Sequence, residues 1–276
     1  MALTAAGACA SAGQPNPNSG DDAIDGETPD ANVTPDACPD SDNDGACNAA
    51  DKCPGSDDLV DADADTVADG CDRCPMEDDR IDVNANMVSD CFEAVTLTIP
   101  LKVVSGNLWR GWHASTPGDH RSSNENTITG QNLTTFYNSY YVFTMAGFSA
   151  SSIHRLTLQL QLEQYAGDAT EMFTVWDVST PAATVESSTG DTNLFNDLQS
   201  GTSYGTATVS AAQLTQLVSV PLNAAAATAA MAKLTATDKD FVVGVHVDTP
   251  PGWIRFGHTG PDATPTTIQL VVKYLP

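Results

Sequence analysis

One acidic pattern recurs at a fixed interval. Asp40, Asp42 and Asp44 alternate and run into Gly45; Asp61, Asp63 and Asp65 run into Thr66; Asp82, Asn84 and Asn86 run into Met87. The runs begin at residues 40, 61 and 82, an interval of 21 residues both times. Repetition at a constant spacing implies one structural unit used three times. Each run is followed by further oxygen donors: Asn48 and Asp51, then Asp69 and Asp72, then Asp90. Alternating carboxylates on a tight loop can converge on one hard cation, and calcium takes about six to eight oxygens. Gly45 suits the sharp turn, because glycine tolerates positive φ. These fourteen residues are the candidate calcium ligands. The third run has two asparagines and less charge, so weaker binding is expected there.

Charge points the same way. Residues 1–93 hold 23 acids and 3 bases, a formal charge of −20, while residues 94–276 hold 13 acids and 8 bases, a formal charge of −5. A segment so acidic repels itself unless it binds cations or stays open. Nucleic acid is excluded as a partner, since no basic patch exists to neutralise phosphates. All seven cysteines precede residue 92, and six of them lie between Cys38 and Cys91. Dense cysteines in a segment too polar to build a core indicate disulfides and an oxidising compartment. Zinc suits the segment poorly, because it prefers sulfur and nitrogen ligands and no histidine occurs here. An EF-hand is excluded as well. Its twelfth position needs a bidentate glutamate, where this chain has Asp51, with Pro54 close behind.

The fuller pattern, D-x-D-x-D-G-x-x-D-x-x-D-x-C-P, resembles the thrombospondin type 3 repeat over residues 38–93. That resemblance implies a chain wrapped around a string of calcium ions with little regular secondary structure. It also implies bridges between successive cysteines, Cys38–Cys47, Cys53–Cys71 and Cys74–Cys91, a pairing that sequence alone leaves open. An extracellular or cell-surface role in adhesion or matrix attachment is the corresponding expectation.

Ahead of the repeats, Ala6-Gly-Ala-Cys9 resembles the end of a bacterial lipoprotein signal. Residues 1–9 are therefore expected to be a signal or lipobox remnant, with a lipid on Cys9 as the only membrane attachment. Residues 10–37, rich in Gly, Pro, Asn, Asp and Ser, read as a flexible linker. No apolar run reaches the roughly 18 residues of a membrane-spanning helix.

Residues 94–276 change character. Val95–Ile99, Leu156–Leu162, Phe173–Val178, Tyr204–Val209, Phe241–Val247 and Ile268–Tyr274 alternate with period two, the mark of strands with one buried face. One helix is expected over Ala224–Leu234, capped by Asn223. Many strands and little helix predict an antiparallel, jelly-roll-like β-sandwich. Stretches near Tyr165–Val178, Asn196–Ser210 and Leu222–Ala230 resemble bacterial extracellular modules of unsettled function.

Trp109, Trp112, Trp253, Tyr137, Tyr140 and Tyr141 are candidate sugar-stacking aromatics, weighed against a core role; Trp176 reads as core. A glycan, a matrix or cell-surface protein, or a second copy of the chain are the candidate partners; the alternatives to adhesion are a carbohydrate-binding module or a self-assembling subunit of a surface layer or fibre, and no enzymatic activity is expected. Gly201-Thr-Ser203-Tyr-Gly205 fits G-x-S-x-G, but a nucleophile elbow needs a strand before and a helix after. His113, His120, His154, His246 and His258 show no metal-binding spacing.

Overall fold

The computed structural model describes residues 38–83, 85–122, 126–248, 252–257 and 268–276. Cys9, the linker 10–37, Asn84 and His258 lie outside the described residues. Contacts divide the described chain into two compact units. Residues 38–61 with Val67–Asp72 form one; Ala62–Thr66 with Arg73–Pro276 form the other.

The second unit is an antiparallel β-sandwich. In chain order its elements are α1 (Asp90–Glu93), β1 (Val95–Pro100), β2 (Val103–Val104), β3 (Asn107–Leu108), β4 (Arg110–Ala114), β5 (His120–Ser122), β6 (Asn126–Asn132) and β7 (Thr135–Thr144). There follow β8 (Ser152–Ala166), β9 (Glu171–Asp177), α2 (Ala182–Ser187), α3 (Thr192–Asp197) and β10 (Ser203–Val209). The last are β11 (Leu217–Leu222), α4 (Ala224–Thr235), β12 (Asp240–Val247), β13 (Trp253–Gly257) and β14 (Ile268–Leu275). Among the described residues the main path runs β1-β14-β8-β13-β6-β7-β12-β9-β10, with β11 on β8 and β4 on β7. The fifteen-residue β8 joins the two layers. Its first part pairs with β14 and β11, and its end pairs with β13.

Period-two chemistry builds the core. Leu156, Leu158, Leu160 and Leu162 of β8 point inward with Leu270 and Val272 of β14. They meet Tyr141, Phe143, Phe173, Val175, Val243 and Val245 from β7, β9 and β12. The opposite face of β7 and β12 is also covered: Tyr140, Val142 and Val242 pack on Ala182, Val185, Leu194 and Leu198, carried by or adjoining α2 and α3. Phe241–Val247 therefore buries both faces rather than one. Asn223 caps α4 as expected, its side chain accepting from Ala225 N at 3.1 Å and Ala226 N at 3.2 Å.

Trp176 departs from expectation. Phe173 and Val175 take the core face of β9, so Trp176 falls on the other side and is only half-buried. The G-x-S-x-G segment follows α3 and enters β10 at Ser203, the reverse of an elbow.

Met76 and Glu77 contact β8 and β14 within this unit. Lys273 Nζ donates to Glu77 Oε2 at 2.6 Å. Arg155 Nη2 lies 3.6 Å from Glu77 Oε1 and donates to the Met76 carbonyl at 2.9 Å.

Candidate metal centre

The three acidic loops share one backbone conformation. The fourth and sixth residues of each loop have positive φ: Asn43 (63°) and Gly45 (94°), Ala64 (62°) and Thr66 (81°), Ala85 (56°) and Met87 (70°). The ninth residue of each returns its N–H to the carbonyl just before the loop: Asn48 to Pro39 at 2.8 Å, Asp69 to Val60 at 2.7 Å, Asp90 to Ile81 at 2.8 Å. Thr66 and Met87 thus keep the left-handed turn without glycine. Left-handed backbone costs an L-residue roughly 1–2 kcal/mol, and a β-branched residue is the worst case. Thr66→Gly is expected to stabilise the second loop by roughly 1 kcal/mol, after allowing for glycine's freer unfolded chain. A higher chelator concentration at half-unfolding would register it; an unchanged midpoint would show that the turn is not strained.

Leading aspartates fix the first and third turns. Asp40 accepts from Asn43 N at 2.8 Å and Gly45 N at 3.0 Å. Asp82 does the same with Asn86 N at 3.1 Å and Met87 N at 2.8 Å. The fifth residue ties one repeat to the next: Asp44 accepts from Asp58 N at 3.0 Å, and Asp65 from Asp79 N at 3.2 Å.

Three groups of carboxylates converge among the described residues. Asp40, Asp42 and Asp44 bring one oxygen each within 4.8 Å of one another; so do Asp44, Asp51 and Asp58, and Asp61, Asp63 and Asp65. Asp65 is fully buried. Asp58 was not anticipated. Asp57-Asp58 and Asp78-Asp79 also stand 21 residues apart, and that period was the signal that could have found it. Of the other described aspartate candidates, Asp69, Asp72, Asp82 and Asp90 fall outside these groups. Asn48 Oδ1 accepts from Ser41 N at 2.9 Å. Asn86 donates to Glu93 Oε1 at 2.9 Å. Asp90, buried at the start of α1, accepts from Val83 N at 3.1 Å. Asp69 and Asp72 sit in the returning arm of the second loop.

The donor set suits a hard cation. One oxygen of Asp42 accepts from Gly55 N at 2.8 Å and one of Asp58 from Lys52 N at 3.1 Å. The second oxygen of each is buried and accepts no hydrogen bond. A buried carboxylate oxygen without a partner costs about 1–3 kcal/mol or more, a cost that a bound cation removes. The electrostatics agree. Backbone N–H groups of Asp58 and Ala46 hold the Asp44 carboxyl below the usual range. Asp51 is pushed up, first by desolvation and then by the charges of Asp42, Asp58 and Asp44. Crowded anions of this kind attract either a proton or a metal.

Each disulfide closes around one loop. Cys38–Cys47 brackets the first run, Cys53–Cys71 the second and Cys74–Cys91 the third. The bridges match the pairing that the resemblance implied. Disulfides fit an oxidising, extracellular setting. Among the described residues no helix is long and apolar enough to cross a membrane.

A scan against protein-family models finds none that matches the chain, and a search of curated proteins finds no match either.

Proposed function

We propose that residues 38–93 bind calcium in the manner of thrombospondin type 3 repeats and form a calcium-stiffened extracellular segment ahead of the sandwich. The supporting observation is the triple recurrence of one loop geometry, with carboxylates converging in the first two loops and an uncompensated oxygen on both Asp42 and Asp58. Calcium is the best-matched ion because the donors are all hard oxygens and the loops are open enough for a large, irregular shell. Extracellular modules bind calcium with Kd about 0.1–1 mM. At about 2 mM calcium this gives roughly 0.6–1.8 kcal/mol per site. Several sites together then decide whether so acidic a segment is ordered.

The wider role we assign is attachment at a bacterial surface. The sandwich acts by binding rather than catalysis, and a lipid on Cys9 would hold the chain to the membrane. Titration calorimetry of metal-stripped protein tests the calcium assignment. Calcium should bind at several sites, magnesium much more weakly, and Asp42→Asn with Asp58→Asn should remove heat from the first repeat. No calcium heat, with circular dichroism indifferent to chelator, would refute it.

A further inference from the structure

The third repeat departs from the first at the positions that would face a cation. Two intervals of 21 residues carry Asp44, Asp51 and Asp58 of the first repeat onto Asn86, Glu93 and Pro100 of the third. The three aspartates bring their oxygens together. Their counterparts do not. Pro100 is the last residue of β1, and the Asn86 amide nitrogen donates to both oxygens of Glu93, at 2.9 and 3.0 Å. An N–H donor therefore meets the glutamate where the first repeat sets carboxylate against carboxylate. A carboxylate already satisfied by donors gains less from a cation. Among the described residues, converging carboxylate groups occur in the first two loops only.

The sandwich supplies further donors. Asp90 is 1% exposed; its two oxygens share the Val83 N–H at 3.1 and 3.2 Å, and His154 Nε2 of β8 lies 3.6 Å from its Oδ2. Glu77 stands where the preceding repeat has Ser56. It is held by Lys273 Nζ at 2.6 Å, with Arg155 Nη2 at 3.6 Å. Lys273 and Arg155 are direct partners on β14 and β8, so one rigid sheet presents both cations. Residues 73–93 accordingly belong to the compact unit of the sandwich, whereas Val67–Asp72 belong to the other.

We infer that the third repeat keeps its shape without calcium and is a fixed extension of the sandwich. Protein groups stand in for the ion: the Asn86 amide on Glu93, the Val83 N–H on Asp90, and the Lys273 and Arg155 cations on Glu77. The inference rests on the calcium reading of the first two loops and narrows it to them. Calcium then controls the order of residues 38–72, and residues 73–93 stay folded when it is withdrawn.

Amide hydrogen exchange of the full chain, read by mass spectrometry in calcium and in chelator, tests this. Peptides from residues 38–72 should lose protection in chelator, and peptides from 73–93 should keep it. Asn86→Asp removes the donor and restores a carboxylate beside Glu93. It should make residues 73–93 calcium-responsive, with protection falling at least about tenfold in chelator and returning with calcium. Lys273→Gln should raise exchange in residues 73–93 about tenfold in calcium and chelator alike, because the lost partner is the protein's own. Should Asn86→Asp leave the repeat unprotected even in calcium, Lys273→Gln carries the test. Parent protein that loses protection in 73–93 along with 38–72, an Asn86→Asp repeat that is protected but ignores calcium, or a Lys273→Gln effect confined to chelator would each overturn the inference and leave the calcium reading of the first two loops standing. Indifference of all three loops to chelator would overturn that reading and the inference with it.

Discussion

Replacing Cys53 and Cys71 together by serine is expected to weaken calcium binding at the second loop on the order of a hundredfold. The bridge spans 18 residues and encloses Asp61, Asp63 and Asp65. Cross-linking a loop of that length removes about 3 kcal/mol of chain entropy from the open state. The segment has little apolar surface with which to meet that ordering cost. Its exposed Leu59, Val60 and Met76 contribute almost nothing to a core. Folding and metal binding should therefore be one event, so an entropy loss appears directly as lost affinity. The measurement is the free calcium concentration at which the segment gains protease resistance, compared between the serine pair and the parent. Disulfide reduction in saturating calcium should leave the loops ordered, whereas reduction in chelator should open them. Equal calcium midpoints for the two proteins would show that the loop is held without its cross-link.

The repeat loops were legible because their chemistry is written in spacing. Alternating acids, paired cysteines and a constant interval identify the unit, and the same interval carries Asp58, which pattern matching to single loops overlooks. Six strands of the sandwich were legible for a similar reason: β1, β8, β9, β10, β12 and β14 alternate in sequence. The strands that stayed hidden did so for physical reasons. β7 is buried on both faces from Asn138 to Phe143, so Ser139, Tyr140, Tyr141 and Val142 show no period. β4 is likewise buried on both sides, with His113 inside. β11 alternates cleanly from Leu217 to Leu222, but Pro221 argues against a central strand. It is tolerated because, among the described residues, β11 pairs with β8 alone and is no central strand. α2 and α3 are six residues each, too short for helical periodicity to show.

Acidification is expected to destabilise the sandwich through His113. This side chain is fully buried, lying 5.7 Å from His120 in a stacked arrangement and 5.7 Å from the Tyr140 ring. Burial pushes its pKa down to about 4; the nearby His120 charge pulls the same way, and the Val185 carbonyl and Asp191 offset part of the shift. The unfolded chain titrates near the ordinary histidine value of about 6.5. A depressed folded pKa means that stability is intact above the unfolded value. It falls as pH drops from there toward 4, because only the unfolded chain takes up the proton. The full loss is about 3 kcal/mol, and about 2 kcal/mol is already gone at pH 5. His246, also depressed by burial, adds in the same direction, so the comparison must be between variants. Urea midpoints at pH 7 and pH 5 should separate widely in the parent and much less in His113→Asn, whose side chain does not titrate. Proton resonances of the His113 ring, followed by NMR in the folded protein, give a second reading should that variant be too unstable. A ring that titrates near 6.5 in the native state would show that the buried site tolerates the charge, and the acid sensitivity would then have to arise elsewhere.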